Sequence, residues 1–190
     1  ATELLLANPD LPEKTKLRLQ RIDRAALQCT DLTTALLMLS RNERGVGNTD
    51  IHKLANNLAE ANRAQMTNKP VNVLVDGLND VFVNAPEAVL SVALGNLIGN
   101  ACKYTQEGEV RIIVETDRVI IQDTGPGLSE EDAARLFERG YRGSGIGVTT
   151  GGGIGLSIVR RLCDLYEWKV SIKPREESGA EACLVFDTAK

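Results

Sequence analysis

The stretch EVRIIVETDRVIIQD, residues 109–123, constrains the fold of this chain more than any other. Its two runs rich in Val and Ile are joined by an acidic turn too short for anything but an antiparallel return. Along RVIIQD the side chains alternate faces, so Val119, Ile121 and Asp123 point the same way. A carboxylate therefore lies on the face that apolar residues bury, and a buried carboxylate needs a donor. The turn that follows, Gly125-Pro126-Gly127, has two readings. It is a capped turn and nothing more, or it leaves room for a flat ligand whose amino group satisfies Asp123.

A second informative stretch is LGNLIGNACKYTQ, residues 94–106. At 100° per residue Leu90, Leu94, Leu97 and Ala101 fall on one narrow arc, the face such a helix buries. Asn96, Asn100 and Lys103 form a second face directed to the rim of whatever the helix packs on. Asparagine is a mediocre helix former, so two of them inside one helix are either tolerated surface residues or present for their amide groups. An amide oxygen suits Mg²⁺ and a neighbouring lysine suits a phosphate.

Near its other end the chain carries GVTTGGGIGLSIV, with Gly145, Gly147, Gly151, Gly152 and Gly153 ahead of a helix and Gly155 in its first turn. Exposed N–H groups at a helix N-terminus favour an anion such as a phosphate. The spacing matches neither the dinucleotide fingerprint, because Leu156 stands where a glycine is needed, nor a P-loop, because no GK[ST] follows. A phosphate site here belongs to a different nucleotide fold.

The remaining elements complete a mixed domain. A helix is expected from Ile51 to about Met66, short strands at VNVLVD and VFVN, a helix at GIGLSIVRRLCDLYE, and final strands at WKVSIK and EACLVFD. Together they predict an α+β fold, a two-layer sandwich of a mainly antiparallel mixed sheet with helices on one face. Before it, residues 15–41 place apolar or small residues at Ile22, Ala25, Cys29, Leu32, Leu36 and Leu39. That spacing is a heptad seam, which a lone helix cannot bury. It predicts a coiled-coil-like helix that either pairs in a bundle or packs on its own domain. NERGVGNTD supplies a linker and a helix cap.

Charge and cysteines exclude other classes. With 22 Lys+Arg against 26 Asp+Glu the net charge is -4, and without a basic run nucleic acid is not an expected partner. Cys29, Cys102, Cys163 and Cys183 form no CxxC pair and are read as buried reduced thiols of a cytosolic protein. No apolar run approaches bilayer length, so a membrane is reached only through segments outside this sequence.

NLIGNACKYT, DTGPGL, LFERGYRG and GGGIGLSIV, in that order, resemble the N, G1, F and G2 boxes of the sensor histidine kinases of two-component systems. These belong to a wider group, the GHKL or Bergerat-fold ATPases, that includes gyrase B, Hsp90 and MutL. The heptad helix ending LLMLSR resembles the second helix of the kinase dimerisation and phosphotransfer hairpin. The resemblance implies two regions, residues 1–47 from that hairpin and residues 48–190 as the catalytic ATP-binding domain. It implies ATP and Mg²⁺ as cofactors and transfer of the γ-phosphate to a histidine, then to an aspartate of a response regulator receiver domain. It also implies a homodimer through the hairpin and a cytoplasmic location beside a membrane-anchored sensor.

The same resemblance assigns roles to individual residues. Asn100 would hold Mg²⁺, Asn96 would support the phosphate site, and Lys103 would neutralise phosphate charge. Tyr104 would line the pocket, Asp123 would take the adenine amino group, and Gly125 and Gly127 would give access to the ring. A lid at about residues 128–152 would be anchored by Phe137, with Arg139 and Arg142 reaching the terminal phosphate. Gly151, Gly153 and Gly155 would cradle the phosphates, with Ile154 and Leu156 beside them. Asn96, Lys103, Arg139 and Arg142 would carry the transfer.

Two features depart from the pattern. The acceptor histidine of the family lies in the first hairpin helix, and the expectation is that this sequence begins after it, which leaves His52 as a surface or packing residue. The usual Gly-Thr pair of the last hairpin is replaced by GAEA, Gly179 to Ala182. The expected activity is protein-histidine kinase, with this piece alone unable to phosphorylate itself. The alternatives are an Hsp90-like or MutL-like ATP-driven switch and an anti-sigma-type serine kinase.

Overall fold

A computed structural model of the chain describes residues 12–66, 69–138 and 154–186. Helix α1, Glu13–Arg41, ends where Asn42 takes a left-handed conformation, and β1 (Thr49–Asp50) leads into α2 (Ile51–Arg63). Asp50 caps α2, its carboxylate accepting the Lys53 N–H at 2.9 Å, as the linker reading requires. Then follow β2 (Val71–Gly77), β3 (Phe82–Val83), α3 (Glu87–Tyr104), β4 (Gly108–Val114) and β5 (Arg118–Asp123). The short α4 (Glu130–Arg135), capped by Ser129, lies inside the segment expected to form a lid. The chain closes with α5 (Gly155–Tyr166), β6 (Lys169–Pro174) and β7 (Ala180–Val185).

The five-stranded sheet runs β2-β4-β5-β7-β6, with β2 parallel to β4 and every other pair antiparallel. The hairpin of β4 and β5 forms as the short acidic turn requires, with Ile112 opposite Ile121 and Val110 opposite Asp123. VFVN forms a short strand as expected, confined to Phe82 and Val83, which pair with β1 in a separate two-stranded sheet. Their partner is itself only two residues long, so the pairing extends no further.

Val110, Ile112, Val114, Val119 and Ile121 face a core that also holds Leu90, Leu94, Leu97 and Ile98 of α3. Each of those leucines is buried, which contributes about 2 kcal/mol apiece relative to exposure. The central helix is therefore held in one rotational setting, and its second face is fixed with it.

Helix α1 packs against α3 and α5. Ala35 is fully buried there and Met38 and Leu39 are half-buried, while Ile22, Ala25, Cys29, Leu32 and Leu36 are exposed. Most of the heptad seam thus does not pack on its own domain. The linker is tied to the end of α5, where the Tyr166 hydroxyl accepts the Gly45 N–H at 2.9 Å and Arg44 donates to the Leu165 carbonyl. Cys102 and Cys163 are buried as expected; Cys29 is exposed and Cys183 half-buried, because α1 and the outer sheet face are uncovered there.

Candidate nucleotide site

The polar face of α3 sits where its apolar covering ends. Val89 and Val92, one turn or two before Asn96 on the same side of the helix, are buried beneath neighbouring elements. From Asn96 onward that side is half-open, and Asn96, Asn100, Lys103 and Tyr104 are all partly accessible. Asn96 Nδ2 donates to the Val92 carbonyl at 2.7 Å, which aims its carboxamide along the helix. The Lys103 ammonium stands 5.3 Å from the centre of the Tyr104 ring.

Gly155, the first residue of α5, lies against Asn96 so closely that a β-carbon there would collide with Asn96 Oδ1. The N-terminus of α5 is thereby set beside the first asparagine of α3. Ile154 caps it, half-exposed, with its carbonyl accepting the Ser157 hydroxyl at 2.8 Å, and Leu156 leans on the core. Phe137 is half-buried just past α4. Arg139, Arg142, Gly151 and Gly153 lie outside the described residues.

The C-terminus of α3 meets the turn after β5. Thr105 is fully buried, its hydroxyl donating to the Ala101 carbonyl at 2.8 Å, and a β-carbon on Gly125 would reach Thr105 at 3.4 Å. Asp123 is only 9% exposed, as the alternation along β5 predicted. Its Oδ1 accepts the Gly125 N–H at 2.8 Å, and the Ala180 N–H also donates to it. Burial pushes its pKa up; the two N–H donors and the Arg175 guanidinium oppose that rise. A carboxylate offers about four lone-pair sites, so acceptor capacity remains for a ligand donor.

Lys69 and Arg175 were not singled out in the sequence. Lys69 Nζ donates to the carbonyls of Lys103 at 2.9 Å, Thr105 at 3.2 Å and Cys102 at 3.3 Å, closing the end of α3. Both lie far from the motifs they support, and no local pattern marks a side chain that caps a distant backbone.

Residues 86–190 match the family described as Histidine kinase-, DNA gyrase B-, and HSP90-like ATPase, more than half of the chain. The chain belongs to this family. Its relatives include the sensor protein QseC of Escherichia coli (strain K12), 31% identical over 189 residues, 95% of this chain and 42% of that protein. The sensor-like histidine kinase SenX3 of Mycobacterium tuberculosis is 25% identical over 196 residues, 97% of this chain and 48% of that protein. The chain spans less than half the length of these relatives.

Among solved structures, full-length ShkA in complex with AMPPNP is 26% identical with a TM-score of 0.65, over 95% of this chain and 40% of that one. The cytoplasmic segment of histidine kinase QseC, at 21% identity and TM-score 0.61, covers 95% of this chain and 98% of that one. It shows the same fold, a mixed sheet layered with helices behind a long N-terminal helix. No helix among the described residues is long and apolar enough to cross a membrane.

Proposed function

We propose that this chain is the ATP-binding catalytic region of a two-component sensor histidine kinase, which passes the γ-phosphoryl group of ATP to a histidine. The observation that carries the reading is a pair of unlike features at the two ends of the C-terminal half of α3. A buried carboxylate with spare acceptor capacity stands at Asp123, and a half-open amide and lysine face runs from Lys103 back to Asn96 and the start of α5. Asn96 and Thr105 are separated by roughly 13 Å at the rise of an α-helix, comparable to the distance from the amino group of adenine to the phosphates of an extended nucleotide.

In this reading Asp123 accepts the adenine amino group, and Gly125 and Gly127 leave the ring space. Tyr104 lines the pocket. Lys103 and the N-terminus of α5 at Gly155 neutralise and orient phosphate oxygens, with Asn96 holding that end. Arg139, Arg142, Gly151 and Gly153 are assigned to the phosphates on the motif resemblance, and Phe137 to anchoring the lid.

The donor set fits Mg²⁺ of the kind shared with a nucleotide. Asn100 is partly accessible on α3 and its amide is a hard oxygen donor, so it would supply one ligand and phosphates and water the rest. When bound, the metal neutralises charge developing on the phosphates. On the same reading the exposed seam of α1 pairs with a second copy, the phosphoryl group goes on to a response regulator receiver domain, and the chain works in the cytoplasm.

Calorimetry tests the reading. The chain is expected to bind ADP in EDTA and to prefer it over GDP, with Asp123→Ala abolishing that preference. Asn100→Ala is expected to leave ADP binding in EDTA nearly unchanged while removing the gain that Mg²⁺ gives ATP. Equal affinity for ADP and GDP, or an Asp123→Ala variant as tight as the parent, would overturn it.

A further inference from the structure

The ladder between β5 and β7 runs from Arg118 opposite Val185 to Gln122 opposite Glu181, and stops one residue short of Asp123. Beyond that point side chains replace the ladder. The Ala180 N–H turns to the Asp123 carboxylate, and Arg175 Nη1 donates to the Asp123 carbonyl oxygen at 2.8 Å.

The segment carrying Arg175 is itself closed and pressed onto the Asp123 turn. The Arg175 N–H donates to the Gly179 carbonyl at 3.1 Å. The Ser178 hydroxyl lies 3.2 Å from the Thr124 carbonyl oxygen and 3.3 Å from that of Gly125, donating to this pair. Gly179 has a φ of +85°, and a β-carbon there would strike the Asp123 carbonyl carbon at 2.6 Å, so only glycine lets the hairpin come this near. The turn from Arg175 to Gly179 is thus a clasp over the end of β5.

We propose that Arg175 is a positioning residue for base recognition, holding the Asp123 backbone where its carboxylate meets the exocyclic amino group of a purine. The inference rests on the nucleotide reading above. A second contribution is the guanidinium charge, which opposes the burial that favours a protonated Asp123. A protonated carboxyl loses acceptor capacity toward an amino group. The Cys102 thiol of α3 also interacts with Asp123, and burial pushes it up to about 11, so it stays neutral wherever Asp123 titrates. Arg175 is thus a cation whose charge acts on the Asp123 carboxylate as well as a donor to the Asp123 carbonyl.

The test is calorimetry of ADP and GDP in EDTA across acidic to neutral pH, on the parent, Arg175→Met, Arg175→Lys and Asp123→Asn. Arg175→Met is expected to weaken ADP about tenfold and to narrow the preference over GDP, from the loss of one charged hydrogen-bond donor. Its ADP binding should also fail at a higher pH on acidification than that of the parent. Arg175→Lys should return the parent's acid midpoint, because it restores the charge, while recovering only part of the affinity. A fold-stabilising role alone would move neither the base preference nor the acid midpoint. Parent-like affinity and midpoint in Arg175→Met overturn the proposal. If that variant melts too early to assay, Arg175→Gln, which keeps a donor without charge, must still show the raised midpoint, and a parent-like midpoint there overturns it. A parent that binds no ADP, or Asp123→Asn binding as tightly as the parent, overturns the nucleotide reading instead.

Discussion

Asn96 and Gly155 touch where α3 and α5 come together, the carboxamide of one occupying the space that a side chain on the other would need. Asn96 cannot swing away freely, because its Nδ2 is held by the Val92 carbonyl at 2.7 Å. The contact fixes the start of α5 beside the polar face of α3.

Gly155→Ala is expected to destabilise the chain by about 1–3 kcal/mol through overpacking. In an Asn96→Ala background the collision is gone and the helix-propensity gain remains, so the same change should stabilise by about 0.5–1 kcal/mol. Urea unfolding of the four chains checks the change of sign; equal costs in both backgrounds would show that the two residues are not coupled.

Asp123 gives opposite pH slopes to stability and binding. Burial raises its pKa in the folded chain above the unfolded value, so its contribution to stability is fully present below the unfolded pKa and is lost as pH rises through the folded pKa. Nucleotide binding needs the charged form and should rise over the same window. Thermal melting across that window should therefore show the stability of Asp123→Asn gaining on the parent as pH increases. A constant difference between the two would remove Asp123 as the titrating group.

Lys69 closes the end of α3 through three carbonyls, one of them from Lys103 within the proposed site. Lys69→Met keeps the stem but leaves those carbonyls without their cation, at an expected cost of about 1–2 kcal/mol. Loss of ADP affinity should accompany it, since Lys103 and Tyr104 sit in the turn it holds. Chemical denaturation together with ADP calorimetry measures both, and an unchanged midpoint would count against the cap.

Gly99 lies in the interior of α3, and a β-carbon there would meet nothing within 4 Å. Gly99→Ala should stabilise by about 0.5–1 kcal/mol, since glycine loses more backbone freedom than alanine on entering a helix. A rise in melting temperature is the expected outcome; a fall would place an unseen neighbour at that position.

His52 sits in the first turn of α2 with its Nδ1 3.2 Å from Asn56 Nδ2 and its carbonyl accepting from the same amide at 2.9 Å. It is expected to take no phosphoryl group from γ-labelled ATP. Acid-labile label on this chain that disappears in His52→Ala would assign it the acceptor role.

Periodicity made much of the candidate site legible. The two-residue alternation of β5 put Asp123 on the buried face with Val119 and Ile121, and the helical period of α3 separated Leu90, Leu94, Leu97 and Ala101 from Asn96, Asn100 and Lys103. Both follow from where consecutive side chains point, which is a property of the local backbone. The order of the N, G1, F and G2 boxes carried the family.

What the local pattern does not encode is which segments become neighbours. The pairing of β5 with β7, the parallel run of β2 beside β4 and the pairing of β3 with β1 in a separate small sheet were decided by packing of the whole chain. So were the reach of Lys69 to the end of α3, the clasp of Arg175 on Asp123 and the contact of Asn96 with Gly155. By itself, then, the sequence determined the elements, their buried faces and the chemistry available on each. The tertiary structure alone decided how those chemistries converge, because a contact between distant residues depends on the summed burial of every layer between them and leaves no period in the chain.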